Sequence, residues 1–170
     1  MSLEYNISIL TSQLSLGKID RIFALNEENV PNVGALNSIE VFKKIIQHSS
    51  YNLYVSNSKN IVGFIVCMRE NSDYESENFR YFKQQENKFI YIDRIAIKKD
   101  FRRQGIGRAL YKKVYSVAHK NQIPVCCEVN TFPLNQPSID FHKKEGFKIV
   151  GKKSFGKNKV AYFKKQTFNI

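Results

Sequence analysis

The sequence predicts an α/β fold, one mixed sheet with helices packed on it, and three observations carry that expectation. Phe89 to Ile97 alternates along nine residues with the period of a strand. Ile106, Ala109, Leu110, Val114, Val117 and Ala118 then line one face of a helix. Strand-like and helix-like segments interleave along the chain with no repeat, low-complexity tract or linker between them. At 170 residues, 42% of them hydrophobic, the chain suits one domain, 1–170, that buries its own core.

Taken in order, Tyr5 to Leu10 alternates polar and apolar residues as a first strand. Ile19, Ile22 and Phe23, and then Ile39, Phe42, Ile45 and Ile46, recur at helical spacing, with the Pro, Asn and Gly of residues 30–34 marking a loop between the two helices. Asn37 or Ser38 caps the second helix, and Glu40 favours its first turn. Asn52 to Val55 and Ile61 to Met68 form a hairpin about the turn Ser56 to Asn60. Glu70 to Lys88 is polar but dotted with aromatic residues, and is expected to hold a short helix and a mobile loop. After the long strand and its following helix come a strand at Pro124 to Val129 and a short helix at Ser138 to Lys144 ended by Gly146. Phe147 to Val150 and Lys159 to Thr167 close the chain as paired strands.

Composition narrows the class. The longest apolar run, Ile61 to Met68, is strand-sized, and no signal-like basic and apolar sequence opens the chain, so a cytoplasmic protein with no membrane partner is expected. Cys67, Cys126 and Cys127 show no metal or disulfide spacing and are expected to pack in a reducing compartment; no metal is expected. The net charge of +12 attracts polyanions or simply confers solubility, and charge alone does not choose.

The chemistry is concentrated between strand and helix, in Arg102-Arg103-Gln104-Gly105-Ile106-Gly107-Arg108. A helix N-terminus presents unpaired N–H groups and a positive dipole end to an anion. Gly105 and Gly107 admit a ligand close to the backbone, and the arginines add full charges beside it. The segment is therefore a phosphate cradle. It is not a P-loop, because Arg108-Ala109 stands where Lys-Ser/Thr is needed, and it is not a dinucleotide fingerprint, because Leu110 stands in place of the third glycine.

Arg102, Gly105 and Gly107 in the pattern Arg-x-x-Gly-x-Gly resemble the acetyl-CoA signature of the GNAT acetyltransferases. Two further stretches look like that family: Tyr91 to Ile97 like its fourth strand, and Asn135 to Phe147 like its second signature. Ala24 to Glu28, Tyr74 to Phe82 and Cys127 to Asn130 are similar to a subgroup of acetyltransferases, which names no substrate. The resemblance implies a mostly antiparallel sheet whose fourth and fifth strands splay apart around the pantetheine arm. Ile95, Ala96 and Ile97 would then pair through their backbone with pantetheine, and the amides from Arg103 to Arg108 would hold the pyrophosphate. Asn135 and Ser138 match positions that touch the cofactor, and Phe141 packs against it.

The same resemblance implies direct attack of an amine on the thioester, so the enzyme supplies proximity, a deprotonated amine and stabilisation of developing charge. Acetyl-CoA is the co-substrate, and the acceptor is a small-molecule amine or a protein or peptide amino group. Glu128, on the fifth strand with Cys126 and Asn130 on its face, is the candidate base, directly or through a water; the alternative is a salt-bridged strand carboxylate. Asp93 is a second candidate, with an ion pair to Arg94 as its alternative. His142 stands where the family often has a tyrosine acid, and either donates to the thiolate or only packs beside it. Tyr74, Asn78 and Tyr81 are candidates for the acceptor pocket or the core, while Glu27 and Glu28 either attract a cationic amine or are solvated. Two rival classes are a non-catalytic acyl-CoA-binding module and a nucleic-acid-associated protein; nucleic acid is disfavoured because no RRM, KH or helix-turn-helix signature occurs. A homodimer is the default assembly.

Overall fold

The computed structural model describes residues 4–58 and 60–168; both chain ends of the expected domain and Lys59 of the hairpin turn lie outside the described residues. Along the chain run β1 (Asn6–Ile9), α1 (Leu16–Glu27), α2 (Ile39–His48), β2 (Tyr51–Ser56), β3 (Ile61–Arg69), α3 (Glu77–Gln85), β4 (Ile90–Ile97), α4 (Ile106–Asn121), β5 (Val125–Phe132), α5 (Gln136–Lys144), β6 (Lys148–Phe155) and β7 (Asn158–Lys165). The strands form one seven-stranded sheet in the order β1-β2-β3-β4-β5-β7-β6. Every neighbouring pair is antiparallel except β4 and β5, whose parallel pairing requires a crossover that α4 supplies.

Helices cover both faces. Ile19, Ile22 and Leu25 of α1, Phe42 and Ile46 of α2, and Phe79 and Phe82 of α3 pack on one side with Phe64, Val66 and Tyr91. On the other side Leu110, Tyr111 and Val114 of α4 and Ile139 of α5 pack with Ile65, Ile90 and Val129. Because β3 is buried on both faces, it reads as a continuous apolar run rather than an alternating one. Ser38 caps α2, its Oγ accepting from the Val41 N–H at 3.2 Å, and the short helix expected after residue 70 is α3, capped in the same way by Ser76.

Two departures from regularity position the site. The β3–β4 register slips at Asp93: Arg94 faces Val66, but Ile92 faces Cys67. This bulge shifts the phase of the strand, so Ile90 and Ile92 before it and Ile95 and Ile97 after it all face α4. The clean alternation expected for Phe89 to Ile97 is therefore broken at one residue. Second, β4 and β5 pair only at Ile90–Val125 and Tyr91–Cys126, and beyond those pairs they part.

Arg94 fixes the α1–α2 connection to this bulge. Its Nε donates to Asp93 Oδ2 at 2.7 Å and its Nη1 to Asn26 Oδ1 at 3.0 Å and the Gly34 carbonyl at 3.3 Å. Both side chains of the ion pair are buried. Removing one member of such a pair leaves an uncompensated buried charge. Arg94→Leu is accordingly expected to cost about 3 kcal/mol, read as a thermal midpoint lower by about 10 °C. Adding Asp93→Asn should recover part of that loss, and no recovery would show that the charge of Asp93 is not its cause.

Candidate active site

Where β4 and β5 part, a cavity of about 350 Å³ opens through the sheet. Its walls are Ile92 to Ile95 of β4, Cys127 to Asn130 of β5, the loop at residues 31–34, Asn78 of α3, Tyr111 of α4, and Asn135, Ser138 and His142 of α5. Since alternate residues of β5 face opposite sides, Glu128 points toward the α1–α3 face, and Cys127 and Val129 toward α4 and α5. The cavity thus has a carboxylate side and an imidazole–phenol side.

On the carboxylate side, Tyr91 Oη donates to Glu128 Oε2 at 2.6 Å. Asn78 lines the same cavity, its Oδ1 accepting from Tyr162 Oη at 2.9 Å. Burial pushes the Glu128 carboxyl up from 4.5 to about 7, and nearby Asp93 adds to the rise, while Tyr91 and Asn78 oppose it. A carboxyl that titrates near neutrality suits proton abstraction, because it is half ionised at the pH where it works. Asp93, the alternative base, is instead held by Arg94.

On the other side, His142 is buried between two partners. Its Nδ1 lies 2.7 Å from the Ser138 carbonyl oxygen, and its Nε2 2.7 Å from Tyr111 Oη. A carbonyl only accepts, so the ring proton sits on Nδ1. Burial lowers the pKa of His142 below its usual 6.5, and the Ser138 carbonyl and Glu145 pull the other way. The ring is therefore a neutral Nδ1–H tautomer at pH 7. Burial, first of all, holds the Cys127 thiol well above its usual range, and the neighbouring Glu128 adds to the rise, so the cavity contains no ready thiolate.

The basic loop lies at the start of α4. Gly105 takes φ +82° as N-cap, and Arg103, at φ +59°, is also left-handed, so the chain turns tightly into the helix. The first intrahelical bond of α4 is Ala109 N–H to Gly105 O, which leaves the amides of Ile106, Gly107 and Arg108 at the open end. A Cβ built at Gly107 would meet nothing within 4 Å, so the approach to those amides is clear. A phosphate group fits this end of the helix.

The arginine side chains are less available than the sequence suggests. Arg102 donates to Asn29 Oδ1 at 2.7 Å and to the Ile97 carbonyl at 3.1 Å, and Arg108 pairs with Glu145 at 2.9 Å. Gln104 accepts from Tyr5 Oη at 2.6 Å and donates to the Asp100 carbonyl, binding the loop to the N-terminal segment. Ile106 is buried as the anchor of the helix start.

Of the remaining sequence candidates, Ile95 lines the cavity, Ala96 packs on the opposite face, and Ile97 packs beside the α4 cluster. Asn135 caps α5 through Ser138 N–H, and Phe141 packs edge-on to Tyr111 with ring centroids 4.9 Å apart. Glu27 accepts from Leu36 N–H at 3.0 Å, and Tyr81 stacks on Tyr162, so both serve the framework. Tyr91, Tyr111 and Tyr162 do not stand out in the sequence as site residues. Their signal is slight, since a buried aromatic at strand or helix spacing reads as core until the tertiary contacts show where its hydroxyl goes. Among the described residues no group of three His, Cys, Asp or Glu could hold a metal ion, and no helix is long and apolar enough to cross a membrane.

The sheet splayed between β4 and β5 and the glycine-started α4 match the fold that the sequence resemblance implies, and comparison with known proteins agrees. The model of the acetyltransferase (GNAT) family matches residues 19–147, so the chain belongs to the GNAT acetyltransferase family, whose members are acyltransferase enzymes. Among curated proteins none matches the sequence. The ribosomal-protein-S18-alanine N-acetyltransferase from Escherichia coli aligns over 98% of this chain and 96% of its own at 14% identity, with a TM-score of 0.70. Ard1 from Thermoplasma volcanium aligns over 97% and 99% at 18% identity and 0.72. The NatC complex bound to Gag peptide and CoA has a chain that aligns over 96% and 98% at 14% identity and 0.73. At these identities the likeness is one of fold.

Proposed function

We propose that this protein transfers an acetyl group from acetyl-CoA to a primary amine by direct attack. The observation that carries this is the position of Glu128, a buried carboxyl pushed up to about 7 in the gap between β4 and β5. The amides from Arg103 to Arg108 hold the pyrophosphate, with Arg103 as a nearby charge. The backbone of β4 from Ile95 to Ile97, unpaired with β5 beyond the splay, pairs with the pantetheine amides, the Ile97 carbonyl exchanging its Arg102 partner for the ligand. Asn135, Ser138 and Phe141 bound the thioester end.

The amine enters from the face of α1 to α3. Glu128 takes its proton, and Tyr91 keeps the carboxylate aimed into the gap. Acetyl-CoA supplies the activated acyl carbon, and the enzyme contributes alignment of amine and carbonyl together with exclusion of water. The acceptor is a small amine or the amino group of a peptide or protein; the second choice draws support from the fold shared with peptide-bound NatC.

Titration calorimetry with acetyl-CoA, followed by a screen of amines for CoA release, tests the reading. Binding with amine-dependent release is expected. Binding without release of CoA by any amine would favour an acyl-CoA-binding module, and no binding of any acyl-CoA would end both readings.

A further inference from the structure

Tyr111 is almost wholly buried on α4, yet its side chain lines the cavity on the side opposite Glu128. Its Oη is 2.7 Å from His142 Nε2. With the ring proton of His142 committed to the Ser138 carbonyl at 2.7 Å, Nε2 is a bare acceptor and the phenol is the donor. His142 therefore presents no hydrogen to a group in the cavity. Tyr111 holds one, and it can turn about a single C–O bond.

We propose that Tyr111, rather than His142, donates to the sulfur of the departing thiolate, and that His142 is a positioning residue that holds this hydrogen at rest. The inference rests on the acetyl-transfer reading of the cavity. As the amine nitrogen bonds to the acetyl carbon and its proton passes to Glu128, the C–S bond breaks and its electron pair stays on sulfur. The Tyr111 O–H then swings from neutral Nε2 to anionic sulfur, because a hydrogen bond to an ion is roughly twice as strong as one between neutral groups. No proton need leave the phenol. Burial holds it well above its ordinary pKa, which suits a group that donates without ionising. The thiolate takes its proton from water as CoA leaves, and Glu128 returns the amine's proton to water, so the step balances.

The geometry also fits the two-sided cavity. The proton acceptor lies on the face where the amine arrives, and the donor on the face toward which the sulfur departs. Phe141 packs edge-on against the Tyr111 ring, and the Phe147 ring stands 5.0 Å from that of His142, so both rings are fixed while the hydroxyl hydrogen is free to turn.

The thiol of bound CoA reports this contact without any knowledge of the acceptor. A donor at sulfur favours the thiolate, so the thiol pKa of CoA in the wild-type complex should fall about one unit below that of free CoA. The titration is read from the NMR shift of the CoA carbon bonded to sulfur. Tyr111→Phe should return the value to that of free CoA while CoA affinity changes less than about twofold. His142→Phe should keep the depressed value, because it releases the Tyr111 hydrogen rather than removing it. A depressed pKa that survives Tyr111→Phe would overturn the proposal, and one lost only in His142→Phe would assign the donor to His142. If wild type fails to bind CoA, the acetyl-transfer reading itself falls, an outcome distinct from either. Once an acceptor is in hand, Tyr111→Phe is expected to lower kcat about 100-fold with the KM for acetyl-CoA unchanged, at the lower end of the usual range for one preorganised donor.

Discussion

Replacing Glu128 by Gln is expected to lower kcat about a thousandfold at pH 8, the middle of the range for loss of a positioned general base. Gln keeps the volume and an oxygen to accept from Tyr91, so the loss isolates the missing proton acceptor. Wild-type kcat/KM should rise with pH through about 7 as Glu128 ionises, and the variant should lose that limb. An unchanged pH profile would remove Glu128 from the proton transfer. Stability should move the opposite way. The folded-state pKa lies above the unfolded one, so the folded protein binds more protons between them and its stability falls as pH rises from about 4.5 to about 7. The amide in Glu128→Gln bears no charge, so the variant should be the more stable protein at pH 8, by up to about 3 kcal/mol, with the gap closing toward pH 5. A variant that is slower and more stable is the signature of a carboxylate held in a costly place for function.

Gly107→Glu is expected to weaken acetyl-CoA binding about a thousandfold. Two charge-assisted hydrogen bonds from the helix start are worth about 2 kcal/mol each, and a carboxylate placed among those amides competes for them while repelling the pyrophosphate. The position suits the test because a Cβ there meets no atom within 4 Å and the backbone needs no left-handed conformation, so the fold should tolerate the change. Gly105 would not serve, since its φ of +82° makes any side chain strained whatever its chemistry. Calorimetry at constant ionic strength, with the thermal midpoint as a control on folding, gives the result. Wild-type affinity in a folded Gly107→Glu protein would show that the pyrophosphate binds elsewhere.

Much of this is legible in the sequence because it depends on local pattern. Helix periodicity places α2 and α4, the Gly-rich basic loop marks the start of α4, and Ser38 reads as a cap from its type and place. The bulge at Asp93 is not part of that reading: the segment reads as one alternating strand, and the structure shows that its isoleucines change phase between Ile92 and Ile95. Glu128 is a candidate base from its place on the fifth strand. Nothing local, however, distinguishes it from Asp93, and only the Arg94 pair on one and the Tyr91 hydrogen bond on the other separate their environments.

Element order, the mixed sheet and the family follow from the chain's own letters, since they rest on spacing within single segments and on the order of those segments. Which side chains are free to act is a different matter, and there tertiary contacts decide. Arg102 and Arg108 spend their charge on Asn29 and Glu145, and His142 is deprived of a usable proton by Ser138 and Tyr111, partners up to 73 residues away in sequence. A hydrogen bond is directional and short, so its partner depends on distances of a few tenths of an ångström between distant segments. Periodicity carries no such information: it says which face of an element is buried, and the packing of several elements says what a polar group meets there.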